Sequence, residues 1–358
     1  MVTATPASEL DGAPRGRGSK FLSGGQALFA SSEQKDVARA LDKGLDAIES
    51  GLGAELSYTH EIADAVSRYL FDAGGKRIRP LLTLLTAQWG EGATDQVITA
   101  AQVIELTHLA TLYHDDVMDE AVKRRGVTAA QKVWTNSIAI LAGDLLFARA
   151  GSLGVGLGGD AMRRQTDTFE RLVVGQMRET VGPKEGEDPI EHYLGVLADK
   201  TGSLIALSGE FGVTLSGAPV EYVPAIQGFG EHIGVAFQLV DDVIDLSADE
   251  EETGKKAGTD VRRGVATLPM LLLEKRAENH ASDNELLETL RKGATGDLSE
   301  EEFSEAISSL RHHQVTTDTT EEARKVADKA IAHLAELPEG VVTDALERFA
   351  HQVVERTQ

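Results

Sequence analysis

Two segments of the sequence carry aspartates at the same spacing inside apolar stretches. The first, YHDDVMDE, covers 113–120, and the second, LVDDVIDL, covers 239–246. Residues at i, i+3 and i+4 share one face of an α-helix, so the first and last aspartates of each triplet point the same way. Each segment therefore predicts a helix with an apolar side for a core and a polar side that ends in carboxylates.

The rest of the chain also favours helices. From about residue 34 onward, apolar residues recur at helical spacing, as in VARALDKGLDAIESGL, and alternation typical of strands is scarce. GATGDLSEEEF at 293–303 offers an N-cap before an acidic first turn. Residues 1–30 show no periodicity and are predicted to be a disordered tail. Because the linkers are short, we predict an all-α protein with one large helical domain over 31–358.

The composition excludes several classes of function. The 358 residues include 58 acids and 35 bases, giving a net charge of -23, and such a charge argues against a general nucleic-acid binder. The chain contains no cysteine, which excludes disulfides and thiolate metal sites. No run approaches the roughly 18 apolar residues of a membrane-spanning helix, and no signal peptide is evident. We therefore expect a cytoplasmic protein.

Clustered carboxylates without thiolates suit a hard cation such as Mg²⁺, which is bound through one or two carboxylates, water and phosphate oxygens. A single acidic triplet is more often a solvated helix end, but two triplets of identical spacing in apolar helices favour metal binding. The spacing and central glycine of an EF-hand loop are missing, so a calcium site of that type fits less well.

Basic segments accompany the acidic ones. They are GGKRIRP at 74–80, KRRG at 123–126, DKTGS at 199–203 and TGKKAGTD at 253–260. Each could be an ordinary surface loop, yet two of them directly follow the aspartate triplets. Arginine and lysine bind phosphate, so the pattern indicates a phosphate group held by metal and cationic side chains.

The chain resembles the trans-isoprenyl diphosphate synthases, also called the polyprenyl synthetase family. The resemblance runs from about residue 35 to the C-terminus and rests on GGKRIRP, LTHLATLYHDDVMDEAVKRRG, AGDLLFARA, DKTGSLIALS, AFQLVDDVIDL, GKKAGTD and TLPMLLL, in the order of the family. It implies a helical bundle of the isoprenoid synthase type with a central substrate cavity. It also implies head-to-tail condensation of isopentenyl diphosphate with an allylic diphosphate, assisted by about three Mg²⁺ ions.

The resemblance assigns roles by position. The metal ligands would be Asp115, Asp116, Asp119, Asp241, Asp242 and Asp245. The allylic diphosphate would be held by Arg124, Lys200, Thr201, Gln238 and Lys255. Isopentenyl diphosphate would be held by Lys76, Arg79, His108 and Arg125. Asp115, Asp119, Lys200 and Asp241 would contribute most to catalysis, whereas His108 has the alternative role of a packed helix residue.

One position departs from the family. A lysine often precedes the TLP segment there and contacts a diphosphate, but this chain has Val265 in RRGVATLP. Either Arg262 or Arg263 could compensate. The other diphosphate-binding positions are filled, so an active enzyme is still expected.

The length of the product depends on residues before the first triplet. Short-chain members of the family often carry a bulky aromatic four or five positions before the first aspartate, where this chain has Ala110 and Thr111. These lie about one helical turn below the metal site, so an open tunnel and a product of about C30 to C50 are expected. Phe147 is a candidate for a deeper floor, or an ordinary core aromatic. Such a product would serve a quinone side chain, for example that of menaquinone.

Several alternatives remain open. The chain could be a geranylgeranyl diphosphate synthase or a non-catalytic partner subunit of a synthase. A class I terpene cyclase would need no second diphosphate site, and a helical scaffold would not need the motifs. Family members usually form dimers, so a homodimer is expected, with farnesyl diphosphate as one allylic substrate. Release of an apolar product would bring transient contact with a membrane.

Overall fold

Helices make up almost all of the computed structural model, which describes residues 35–247 and 257–355. Within these ranges the regular β structure is a single hairpin of β1 (Lys123–Arg124) and β2 (Val127–Thr128), with Lys123 opposite Thr128. The all-α prediction is therefore confirmed. The predicted tail over 1–30 lies outside the described residues.

The described chain divides into two compact units, the first with residues 35–166 and 207–223 and the second with 167–206, 224–247 and 257–355. The divisions fall within two helices, α7 (Gly159–Val181) and α9 (Ser203–Leu215), and next to the start of α10 (Val223–Ser247). A single domain over 31–358 stays a prediction.

The first unit is built around α4 (Asp95–Met118), whose buried residues lie on most of its sides. Thr94 caps α4 by accepting a hydrogen bond from the N–H of Val97, which satisfies one of the free donors of the first turn. The other regular elements of this unit, besides the hairpin and parts of α7 and α9, are α1 (Lys35–Glu55), α2 (Glu61–Asp72), α3 (Ile78–Thr86), 3₁₀ turns at Ala87–Trp89 and Val220–Tyr222, α5 (Ala130–Val133) and α6 (Asn136–Val155).

Helix α6 packs closely along α4 because one of its contact positions is a glycine. A Cβ atom at Gly143 would lie 2.3 Å from Nε2 of His114 and 3.1 Å from the carbonyl oxygen of Ala110. Helix α6 is also the one described helix that is long and apolar enough to cross a membrane, although a third of its most apolar window is buried inside the protein.

The second unit contains the other regular elements. Besides α10 and parts of α7 and α9, they are α8 (Pro189–Leu197), a π-helical segment (Ala198–Gly202), α11 (Thr259–Arg262), α12 (Leu268–Ala277), α13 (Ala281–Ala294), α14 (Glu300–Arg311), α15 (Gln314–Leu334) and α16 (Val341–Glu355). A core cluster that includes Leu246, Leu273, Leu290 and Phe303 holds the end of α10 against α11–α14. The predicted cap is confirmed: Ser299 and Glu302 form a reciprocal capping box at the start of α14.

Candidate active site

Both aspartate triplets lie at the C-terminal ends of long helices. Asp115 belongs to the last turn of α4, and Asp119 is its C-cap residue, whose N–H donates to the carbonyl of Asp115 at 2.7 Å. Asp241 and Asp245 lie in the last two turns of α10. The helix dipole is negative at this end, so each triplet adds carboxylates where the potential is already unfavourable for them. Such an arrangement favours a bound cation.

The middle aspartate of the first triplet differs from its neighbours. Asp116 has no exposed surface, and the Nε of Arg124 donates to its Oδ1 at 2.6 Å. The side-chain amide of Gln131 donates to the carbonyls of Asp116 and Ala121, which anchors the chain after the helix. Asp115 is partly exposed and Asp119 is exposed, so these two present carboxylates outward while Asp116 orients Arg124.

Arg124 and Arg125 are presented by the β1–β2 hairpin. Its two-residue turn is Arg125-Gly126, with φ of 52° and 79°, and positive φ at both positions is what a tight type I′ turn requires. Glycine adopts this conformation readily, but an arginine does so at a cost of about 1–2 kcal/mol. Nη1 of Arg125 donates to the carbonyl of Leu70 at 2.8 Å, which ties the turn to the end of α2.

Four arginines surround His108. Burial is the main cause that holds the pKa of His108 well below its usual value, and the charges of Arg79, Arg125, Arg124 and Arg77 lower it further. His108 is therefore neutral near pH 7. Burial also lowers the pKa of Arg125 to about 10, which shows how poorly the surroundings solvate its charge.

The arginine cluster, meaning Arg77, Arg79, Arg124 and Arg125, is incompletely neutralised. Arg77 pairs with Glu49 and Glu105, and Arg124 pairs with Asp116. The Nε of Arg79 is buried and has no hydrogen-bond partner within the part of the chain that the structure describes. A buried donor without an acceptor is costly, so the cluster suits a polyvalent anion.

The structure thus brings together four of the predicted substrate-binding residues in the first unit, near the first aspartate triplet. They are Arg79, His108, Arg124 and Arg125. Lys76 is partly buried and directly precedes Arg77, the residue that begins α3 in a left-handed conformation with φ of 50°. Sequence reasoning did not assign Arg77 to the site, although GGKRIRP contained it.

The three residues predicted to govern product length also lie in the first unit. Ala110 is fully buried, and the hydroxyl of the nearly buried Thr111 donates to the carbonyl of His108 at 2.8 Å. The ring of Phe147 packs edge-on against His114, with 5.6 Å between the centroids. His114 follows Ala110 by four residues, towards Asp115. Phe147 therefore packs beside this stretch of α4, and its role as a deeper floor stays a prediction.

The middle aspartate of the second triplet is also engaged. Asp242 is buried, and its Oδ2 accepts hydrogen bonds from the hydroxyl of Tyr193 at 2.7 Å and the N–H of Leu268 at 3.3 Å. Burial raises the pKa of Asp242 to about 8, against the opposing effect of the Tyr193 hydrogen bond. Asp242 therefore fastens α10 to α8 and to the start of α12.

Asp241, Asp245 and Gln238 are partly exposed on α10. One oxygen of Asp245 accepts the N–H of Asp260 at 3.0 Å, so this residue also holds the start of α11. Lys255 lies outside the described residues. Within those residues, no group of three or more His, Asp or Glu side chains is arranged as a ready-made metal site.

The region around Val265 offers little support for compensation by Arg262. Val265 is 39% exposed. The guanidinium of Arg262 is held by the carbonyl of Ala257, the carboxylate of Glu300 and the face of Phe303. Arg263 is exposed, which leaves it as the better of the two candidates for contact with a diphosphate.

Lys200 and Thr201 lie in the π-helical segment. Such wide turns are rare and occur often at functional sites. Asp199 anchors the segment because its two oxygens accept from Arg171 and Arg178 at 2.7 and 2.9 Å. Nζ of Lys200 donates to Glu179 at 2.7 Å. The segment passes close to α10, since a Cβ at Gly234 would lie 2.6 Å from the Cα of Gly202.

Sequence reasoning missed the partners that hold these groups. They are Glu49, Glu105, Gln131, Arg171, Arg178, Glu179, Tyr193 and Asp199. Glu105 left a signal, because it is the one acid in the apolar stretch of α4 between Asp95 and Asp115, three residues before His108. The others are ordinary polar residues whose partners are distant along the chain.

Comparison with known proteins shows which family the chain belongs to. Residues 60–310 match the Polyprenyl synthetase family model. A nonaprenyl diphosphate synthase from Mycobacterium tuberculosis is 42% identical over 333 residues, which cover 93% of this chain and 96% of the relative. A polyprenyl synthase from Caulobacter crescentus, solved with calcium and isoprenyl diphosphate, has a TM-score of 0.81 at 31% identity, covering 92% of this chain and all of that one.

A second solved relative is a geranylgeranyl pyrophosphate synthase from Corynebacterium glutamicum, also complexed with calcium and isoprenyl diphosphate. It has a TM-score of 0.77 at 40% identity and covers 92% of this chain and 99% of that one. The chain belongs to the polyprenyl synthetase family. It is accordingly a prenyltransferase with the all-α isoprenoid synthase fold.

Proposed function

We propose that this protein condenses isopentenyl diphosphate with an allylic diphosphate, head to tail, to make a long all-trans polyprenyl diphosphate. The observation that carries the proposal lies in the first unit, where an aspartate triplet at a negative helix end accompanies a cluster of incompletely neutralised arginines, and the second unit supplies another triplet at a helix end. A divalent cation and a diphosphate would together satisfy both.

The residues present fit Mg²⁺. Asp115 and Asp119 from the first triplet and Asp241 and Asp245 from the second are the carboxylates we assign to about three ions, with phosphate oxygens and water completing the coordination. Bound Mg²⁺ would neutralise the diphosphate and make pyrophosphate a better leaving group. Asp116 and Asp242 were also predicted as ligands, but we assign them mainly to holding the site together. Asp116 does so by accepting a hydrogen bond from Arg124, and Asp242 by accepting hydrogen bonds from Tyr193 and Leu268.

The allylic diphosphate would be oriented by Arg124, Lys200, Thr201 and Gln238, with Lys255 as a further candidate. Its C1–O bond breaks, and the electron pair leaves with pyrophosphate. The double bond of isopentenyl diphosphate attacks C1 of the allylic cation, which leaves a positive charge on C3 of isopentenyl diphosphate. A proton is then lost from C2 of isopentenyl diphosphate to the departing pyrophosphate, and a new double bond forms. The protein need only bind, orient and exclude water in these steps.

Isopentenyl diphosphate would bind the arginine cluster. A neutral imidazole still carries one ring N–H, so His108 can donate a hydrogen bond to a phosphate oxygen without being protonated further. Arg79 and Arg125 supply positive charge that the protein leaves partly unmatched, and Lys76 adds a further cationic group beside them. This division explains why the cationic groups around His108 outnumber the local acids.

A long product, about C30 to C50, follows from the small residues one turn below Asp115. The Mycobacterium relative named for a nonaprenyl product supports this, whereas the Corynebacterium relative named for a geranylgeranyl product keeps the shorter chain as the second candidate. A quinone side chain, such as that of menaquinone, is the use we propose for the long product.

We also propose a cytoplasmic homodimer that contacts a membrane only to release product. Helix α6 supports the dimer. Leu141, Ala148 and Val155 recur every seven residues on its exposed side, so they form one stripe along the helix. A second copy of the chain would cover this stripe.

The test is incubation of the purified protein with labelled isopentenyl diphosphate, farnesyl diphosphate and Mg²⁺. We expect label in dephosphorylated products of about C30 to C50, and an Asp115→Ala variant of unchanged helicity should lose turnover by at least about 100-fold. Label confined to C20 would support the shorter-chain candidate. No incorporation, or an Asp115→Ala variant as active as the wild type, would contradict the proposal.

A further inference from the structure

Two arginines of the cluster share an uncommon backbone conformation and the same carboxylate neighbour. Arg77 and Arg125 both have positive φ, at 50° and 52°, and Glu120 is the other described non-glycine residue with this property. Nη1 of Arg77 lies 2.9 Å from Oε1 of Glu105, and Nη2 of Arg125 lies 3.9 Å from the same oxygen. One carboxylate oxygen thus serves two guanidinium groups on separate segments.

Glu105 is itself deeply placed. It is 2% exposed on α4, three residues before His108, so it lies on the same helix face as that imidazole. Its negative charge also acts on Arg79, whose Nε lacks a hydrogen-bond partner among the described residues. A buried acid is stable as an anion only with such compensation, so Glu105 and the arginines depend on each other.

Both left-handed arginines have partners besides Glu105, whose contact with Arg125 at 3.9 Å is an ion pair and not a hydrogen bond. Arg77 also donates from Nε and Nη2 to the two oxygens of Glu49, at 2.8 and 3.2 Å. Arg125 donates from Nη1 to the carbonyl of Leu70 at 2.8 Å. A planar guanidinium held on two sides has a defined orientation, and its remaining N–H groups point in a defined direction.

We propose that Glu105 is a positioning residue, which holds the guanidiniums of Arg77 and Arg125 so that the arginine cluster is preorganised for the diphosphate of the second substrate. This inference rests on the proposed function. It assigns the carboxylate a geometric role, beyond reducing the positive charge of the cluster. These two roles make opposite predictions, because an acid that only offsets charge would weaken the binding of an anion.

The test is a pair of substitutions at one position. Glu105→Asp keeps the charge and withdraws the oxygens by one methylene, while Glu105→Gln keeps the reach and removes the charge. Glu49→Gln is the matched control, since Glu49 is a more exposed partner of Arg77 alone. Binding of isopentenyl diphosphate is measured by calorimetry without Mg²⁺, and steady-state kinetics give KM for each substrate and kcat.

We expect Glu105→Asp to raise both Kd and KM for isopentenyl diphosphate about 10-fold, the equivalent of one lost oriented contact, with KM for the allylic substrate and kcat at saturation nearly unchanged. Glu105→Gln should raise them at least as much, and Glu49→Gln should raise them by less than about 3-fold.

Unchanged binding in Glu105→Asp, or tighter binding in Glu105→Gln, would show that Glu105 only offsets charge and would overturn the inference. If Glu105→Gln fails to fold, Glu105→Asp still decides. An inactive wild-type protein would instead contradict the proposed function, and calorimetry would continue to test the positioning role.

Discussion

The three aspartates of each triplet differ in what they contact. Asp116 and Asp242 occupy the same position in the two motifs, and both are buried against groups of the protein. Their neighbours Asp115, Asp119, Asp241 and Asp245 keep exposed surface at the helix ends. The same residue type therefore has two different environments in each motif, one buried against protein groups and one open to solvent. The spacing alone could not separate them.

This difference predicts unequal effects of two adjacent substitutions. Asp242→Asn retains an oxygen that can accept from Tyr193 and Leu268, so we expect an unfolding free energy within about 1 kcal/mol of the wild type and turnover reduced by less than about 10-fold. Asp241→Asn should reduce kcat by at least about 100-fold at saturating Mg²⁺. Denaturant titration and steady-state kinetics measure both, and equal losses in the two variants would assign Asp242 to the metal site.

His108 predicts a dependence of stability on pH. Its pKa is depressed in the folded protein, so as pH falls below about 6.5 the unfolded chain takes up a proton that the folded site refuses. Stability present above that pH is therefore lost progressively on acidification, down to the folded pKa. We expect the ligand-free wild type to lose more unfolding free energy than His108→Gln between pH 7.5 and 5.5. Parallel losses would show that His108 is solvated.

At the scale of elements, the helices were predictable because their apolar residues repeat with the helical period and their caps are local. Thr94 and Ser299 act within three residues of themselves. The π-helical segment and the β hairpin were not predicted. The first is stabilised by Arg171 and Arg178, which are distant in sequence, and the second uses an arginine where a turn signal normally has Asn or Asp.

The π-helical segment gives a prediction about a glycine. A Cβ at Gly202 would lie 2.8 Å from the carbonyl oxygen of Glu231, so Gly202→Ala should displace the segment and cost about 1–3 kcal/mol of stability. Lys200 and Thr201 would move with it, so kcat should fall as well. Gly53→Ala, in helix α1, meets only an ordinary contact with Phe71 at 3.9 Å and is the control. Full activity in Gly202→Ala would separate the segment from catalysis.

Helix α4 gives a prediction about product length. Ala110 is fully buried one turn before Asp115, and a phenylalanine there would fill the start of the proposed tunnel. We expect Ala110→Phe to shift the product to about C15 to C20, and Ala110→Val to shift it less, in proportion to side-chain volume. Mass spectrometry of dephosphorylated products reads the length. Long products from a folded Ala110→Phe variant would show that this side chain faces away from the growing chain.

At the scale of the whole molecule, the sequence predicted the family chemistry but could only suggest the assembly. The exposed stripe on α6 carries Leu141 at 60% and Val155 at 71% exposure, and several exposed apolar side chains on one face mark an interaction surface. The molecule that covers such a stripe is determined by the shape and chemistry of two complementary surfaces. The periodicity of one sequence does not contain that information.

The stripe predicts the effect of one charged substitution on assembly. Leu141→Asp would bury an unpaired charge at the proposed dimer contact, so we expect a monomer in sedimentation at micromolar protein. Val220→Asp, at a valine that is 67% exposed outside α6, should leave the assembly unchanged. If Leu141→Asp still forms a dimer of normal stability, the dimer contact lies elsewhere on the protein. If the wild-type protein is a monomer, the proposed dimer does not exist.

The left-handed arginine in the β1–β2 turn bears on how this protein would respond to directed evolution. At position 125 the backbone would accept glycine with about 1–2 kcal/mol less conformational cost than the arginine it carries. The substitution would lose the hydrogen bond to Leu70 and the long ion pair with Glu105, but it would also remove a poorly solvated charge. A library screened for heat resistance alone should therefore enrich Arg125→Gly, and the enriched clones should need far more isopentenyl diphosphate to reach the same rate. Thermal tolerance and substrate affinity are opposed at this one residue, so a thermostabilised version of the enzyme must be selected for both properties together.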